Sequence, residues 1–108
     1  MTSPFTVGSK WNITRSGAGT DEIEVTTATA TQFTAKYIGA QSANPSVFTG
    51  EVEERQGQVI ALKQDGAPTH YFSFLIGVRQ TGGGPIQYNG NWCDVAGTLG
   101  SAVLTLVG

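Results

Sequence analysis

One cysteine, one histidine and one methionine in 108 residues leave little to build most site chemistries from. Cys93 alone cannot close an intramolecular disulfide, which excludes a stapled secreted scaffold. His70 and Cys93 together fall short of the four ligands of a structural zinc site, so no metal and no cofactor is expected. Met1-Thr2-Ser3-Pro4-Phe5 lacks a basic stretch followed by an apolar one, so the expectation is a cytoplasmic or leaderless secreted protein. No apolar run nears the roughly 20 residues of a spanning helix. Charge is sparse as well, at 13% of residues, with six Lys and Arg against eight Asp and Glu. That balance gives no general positive field for nucleic acid or for an anionic membrane. Helical periodicity is missing too, since no long segment repeats its apolar positions at i, i+3, i+4 and i+7.

What is there reads as strand. Thr, Val, Ile and aromatic residues alternate with polar ones in short runs separated by Gly, Pro, Asn and Asp. Eight runs are predicted: 9–15, 22–29, 32–38, 47–54, 58–64, 70–80, 86–95 and 102–107. In the second, Ile23, Val25 and Thr27 share a face, opposite Glu22, Glu24 and Thr26. Phe33, Ala35 and Tyr37 do the same in the third, and Phe48, Gly50 and Val52 in the fourth. Short turns and the lack of crossover helices imply an antiparallel meander. Eight short strands in an open sheet would leave two raw edges, which closure removes. The expected architecture is therefore all-β: an eight-stranded antiparallel up-and-down barrel over residues 1–108, with a two-sheet β-sandwich as the alternative. Residues 1–8 read as an N-terminal arm.

Catalytic constellations are weakly supplied. A nucleophile needs a base and an orienting group, and His70, at a turn-to-strand junction, has only Ser73, Asp65 and Cys93 as conceivable partners. A structural role for His70 and an unreactive thiol for Cys93 are the expectation, and the protein is not expected to be an enzyme. Glu22 with Glu24 and Glu51 with Glu53 each share a strand face whose opposite face is apolar, which reads as solvated exterior. Gly82-Gly83-Gly84 lacks the Lys-Ser or Lys-Thr of a phosphate loop.

What remains is a binding surface. Trp11, Tyr37, Tyr88 and Trp92 are large flat groups, with Asn12, Ser16 and Asn89 near them in the chain. Aromatic faces cover C–H surface while amides and hydroxyls satisfy polar atoms, a combination that suits a neutral sugar or a cyclic urea. For Trp11 and Trp92 a core role stands beside the site role, since aromatics dominate small cores. The expected function is non-catalytic binding of a small neutral polar ligand, a glycan first. A homo-oligomer, dimer or tetramer, is expected if an uncharged strand face such as Phe72, Phe74, Ile76 and Val78 beside Leu104 and Leu106 meets a symmetry mate.

The stretch from Ser9 to Val107 resembles the avidin and streptavidin family of barrels. Gly8-Ser9-Lys10-Trp11-Asn12 is similar to the Gly-x-Trp-x-Asn opening of that family's first strand. Gln32-Phe33-Thr34-Ala35-Lys36-Tyr37 is similar to its third strand, whose Tyr contacts biotin. Val47-Phe48-Thr49-Gly50 resembles its Leu-Thr-Gly, and Tyr88-Asn89-Gly90-Asn91-Trp92 is loosely similar to its Trp-Ser-Gly-Gln. The resemblance implies a closed barrel and biotin as an alternative ligand, with Tyr37 as the matching contact. The family's first-strand Asn and Ser fall here on Ile13 and Gly17, with Asn12 and Ser16 each one place early. A one-residue change turns a side chain to the other face of a strand unless a bulge restores the phase. A barrel-type protease inhibitor, using Met1 to Gly8 as its inserted arm, is the further alternative.

Overall fold

A computed structural model describes residues 3–17, 19–54, 57–66 and 73–107. Eight strands follow one another: β1 (Lys10–Arg15), β2 (Gly19–Ala28), β3 (Gln32–Ile38), β4 (Val47–Glu54), β5 (Gln58–Asp65), β6 (Ser73–Arg79), β7 (Gln87–Asp94) and β8 (Leu99–Val107). Each pairs antiparallel with the next, and β8 pairs back onto β1 from Lys10↔Val107 to Arg15↔Ala102. The barrel is closed and up-and-down, so each strand has a hydrogen-bonded neighbour on both sides. One 3-10 turn, Gly39–Gln41, interrupts the β3–β4 loop.

Alternation sets which side chains fill the interior. Ile13, Ile23, Val25, Ala35, Phe48, Ile60, Leu62, Leu75, Ala102 and Leu104 are buried in one continuous cluster, while the residues between them on each strand face outward. Two strands start three residues earlier than their sequence signal. β2 begins at Gly19, because Thr20 and Asp21 pair with Thr14 and Ile13, and β8 begins at Leu99, opposite Cys93. Both early starts contain Gly, which reads as turn in sequence but is tolerated where pairing continues. Thr27 does not share the inward face of Ile23 and Val25. A bulge between Val25 and Thr27 shifts the register, so that Thr26 and Thr27 are both exposed and Ala28 is half-buried. Leu104 and Leu106 point inward, not onto an outer patch with Ile76 and Val78. Phe72 and the Phe74 side chain lie outside the described residues, as does His70.

The two barrel ends differ in kind. At one end the N-terminal segment folds back over the opening, with Gly8 N–H on the Val25 carbonyl at 2.9 Å and Val25 N–H on the Ser9 carbonyl at 2.9 Å. It delivers Phe5, 1% exposed, into a stack: 4.0 Å from Phe33, 4.3 Å from Trp11 and 5.4 Å from Tyr88 between ring centroids. The arm expected at residues 1–8 thus crosses the opening from Ser3 onward and plugs it with Phe5, while Thr6, Val7 and Gly8 stay exposed. Gly50 stands opposite Phe33 across the β3–β4 ladder and makes room for its ring. The opposite end, where the β1–β2, β3–β4 and β7–β8 connections lie, carries polar side chains within the wall.

Candidate functional site

Strand β1 points Trp11, Ile13 and Arg15 inward, so the period that buries two apolar groups also brings a guanidinium inside the polar end. A cation there is costly unless it is paired and hydrogen-bonded. Neighbouring strands supply the partners. Arg15 donates through Nη1 to Gln64 Oε1 at 2.8 Å and through Nη2 to Tyr37 Oη at 3.0 Å. Its Nη2 also lies 3.5 Å from Asp21 Oδ2, and its guanidinium sits over the Trp92 ring, 5.7 Å from the centroid. Gln64 Nε2 donates to the same Tyr37 oxygen at 2.9 Å. Five strands, β1, β2, β3, β5 and β7, therefore converge here.

Two donors of this cluster have no acceptor among the described residues. A phenol oxygen accepts through two lone pairs and carries one proton. Arg15 and Gln64 occupy both acceptor positions of Tyr37, so its O–H is directed to neither. Trp92, 8% exposed, buries its indole Nε1–H with no hydrogen-bond partner among the described residues. The contrast with Trp11 is direct, since that Nε1–H donates to Ser9 Oγ at 3.1 Å. Gly100 on β8 leaves the space beside Trp92: a Cβ there would lie 2.7 Å from Nε1 and closer still to Ser16 Oγ. Ser16 Oγ itself accepts from the Ser101 N–H at 3.0 Å.

Of the seven residues expected to bind ligand, three meet at this end: Ser16, Tyr37 and Trp92. Trp11 and Tyr88 lie in the stack at the other end, with Trp11 four residues from Arg15, about 13 Å along the strand. Tyr88 donates its hydroxyl to Gln58 Oε1, and Gln58 Nε2 donates to Glu54 at 2.8 Å. Burial pushes the Tyr88 phenol up to about 12, with Arg79 acting against the shift and Glu54 reinforcing it. Asn12 and Asn89 point away from the interior: β1 pairs without a bulge on either side, so nothing returns Asn12 to the inward phase. The four aromatics therefore form two separate pairs rather than one concave surface. The acidic pairs lie on the outer wall, with Glu24 facing Lys10 and Lys36 across neighbouring ladders.

Arg15, Gln64, Asp21 and Gly100 were not among the expected site residues. Their signal is a polar residue in an apolar phase: Arg15 after Trp11 and Ile13, Gln64 after Ile60 and Leu62. Among the described residues no group of three or more His, Cys, Asp or Glu side chains could hold a metal ion. Comparison with protein-family models, with curated proteins and with solved structures finds no match.

Proposed function

We propose that this closed barrel is a non-catalytic binding protein that takes a small polar ligand at the Arg15 end, a neutral sugar first. The observation that carries the reading is a pair of donors with no acceptor among the described residues, Tyr37 O–H and the buried Trp92 Nε1–H, beside the Arg15 and Gln64 frame. Donors fixed before binding lose little freedom when a ligand arrives, and they select for acceptor oxygens on it. Hydroxyl, ring and carbonyl oxygens of a sugar fit that requirement. Ser16, at the rim, adds a hydroxyl.

Biotin is the second reading. Its cyclic urea presents one carbonyl oxygen, and Tyr37, the position that resembles the biotin-contacting Tyr of the avidin family, lies in this cluster. A glycan array beside a biotin titration, both read by tryptophan fluorescence and calorimetry, separates the two. Tyr37→Phe removes the donor while keeping the ring and is expected to weaken binding about tenfold, the effect of roughly 1.4 kcal/mol. Asn89→Ala, on the outer wall, is expected to change nothing. Failure to bind either class, or affinity indifferent to Tyr37→Phe and Trp92→Phe, overturns the proposal.

A further inference from the structure

We propose that the outer face of β6, β7 and β8 is the contact between two copies of this chain. The barrel's outer wall is divided by charge. Lys10, Glu22, Glu24, Lys36, Glu51, Glu53 and Lys63 all stand on β1 to β5. The described outward positions of the last three strands carry none, Arg79 and Asp94 standing half-buried at strand ends in the inward phase, and they include Ile76 at 60% exposed, Val78 at 48% and Leu99 at 79%. Asn89, Asn91 and Cys93 share a shallow apolar groove with these three residues.

The chemistry selects a second copy as the occupant. A twofold axis sets each patch against itself, so a face bearing acidic residues, as on β2 and β4, would meet its own charge. The β6–β8 face is free of that repulsion among the described residues. Asn side chains carry both a donor and an acceptor, so Asn89 and Asn91 can satisfy their own symmetry mates, whereas a charged partner would find no counter-charge here. Size agrees. Three strands about 4.8 Å apart and about 25 Å long offer roughly 350 Å² per copy, and Val59 and Ala61 of β5, at the edge that Glu51 and Glu53 border, bring it to at most about 500 Å². Two copies then bury at most about 1,000 Å², the size of a weak, concentration-dependent association. Two twisted sheets packed face to face about 10 Å apart supply the geometry.

Light scattering after gel filtration and sedimentation equilibrium of the full chain, from about 1 µM to 1 mM, test this directly. The expected result is a concentration-dependent species of twice the 11.3 kDa chain mass. Ile76→Glu and Leu99→Glu replace side chains already in solvent, so the barrel's circular dichroism should stay unchanged while each weakens association at least about tenfold. Thr49→Glu, exposed on β4, should leave association untouched. A monomer at every concentration overturns the proposal, as does an oligomer indifferent to both glutamates. A monomer that floats with neutral phospholipid vesicles also overturns it and assigns the face to a lipid surface.

Discussion

Gly50→Ala tests the aromatic stopper with one methyl group. Gly50 faces inward on β4, directly across from Phe33, and an added Cβ would lie 2.7 Å from Phe33 Cε2, with two other ring atoms nearer. The ring has little room to retreat, because Phe5 is stacked on it at 4.0 Å with the planes 4° apart. In an unhindered strand, Ala in place of Gly stabilises by roughly 0.5–1 kcal/mol through reduced chain entropy. Overpacking costs about 1–3 kcal/mol and is the larger effect here. A net loss of about 1–2 kcal/mol should lower the melting temperature by on the order of 5–15 °C in a domain of this size. Thermal unfolding followed by far-ultraviolet circular dichroism gives that number, and the near-ultraviolet signal reports the stack itself. Phe5→Leu opens space behind Phe33, so Gly50→Ala should cost less in that background, with a coupling of about 0.5–3 kcal/mol. A Gly50→Ala protein as stable as the parent, with an unchanged near-ultraviolet spectrum, would show that Phe33 is not clamped.

Three further outcomes are expected. Tyr88 is held neutral to about pH 12, while a phenol in the unfolded chain ionises near 10, so between those values the unfolded state binds fewer protons and stability falls as pH rises. The slope should approach about 1.4 kcal/mol per pH unit and vanish in Tyr88→Phe; a denaturant midpoint flat across that window in the parent would refute the shift. Arg15→Lys keeps the charge but cannot reach Gln64, Tyr37 and Asp21 together, and is expected to cost roughly 1.5–3 kcal/mol in urea unfolding. An unchanged midpoint would mean the guanidinium geometry carries no stability. Phe5→Ala should cost about 3–5 kcal/mol by emptying the stack between Trp11, Phe33 and Tyr88, and hydrogen exchange should then rise first in β1 and β3.

The barrel was legible because a period of two survives in each run and the turns are short. β3 and β4 match their sequence limits residue for residue. The bulge after Val25 was not legible, because an extra residue leaves no mark in a Thr-rich segment, and Thr27 was placed on the wrong face as a result. Residue type groups Tyr37 and Trp92 with Trp11 and Tyr88, but type cannot say which end of a strand a side chain occupies, and the structure puts the two pairs at opposite ends. Arg15 and Gln64 carry no such signal by type, because arginine and glutamine are ordinarily surface residues. Their inward phase becomes informative once the barrel is known to close.

The β1–β8 ladder joins segments that stand almost the whole chain apart, from Lys10 opposite Val107 to Arg15 opposite Ala102. Every other ladder links neighbours and can zip up from a hairpin, whereas this one must wait until the rest of the sheet has curled far enough to meet itself. Until that seam forms, two bare strand borders remain open to other chains, so refolding at high concentration should divide between ring closure and aggregation. Dilution, which slows encounters between chains without slowing the seam, is the condition that favours native recovery.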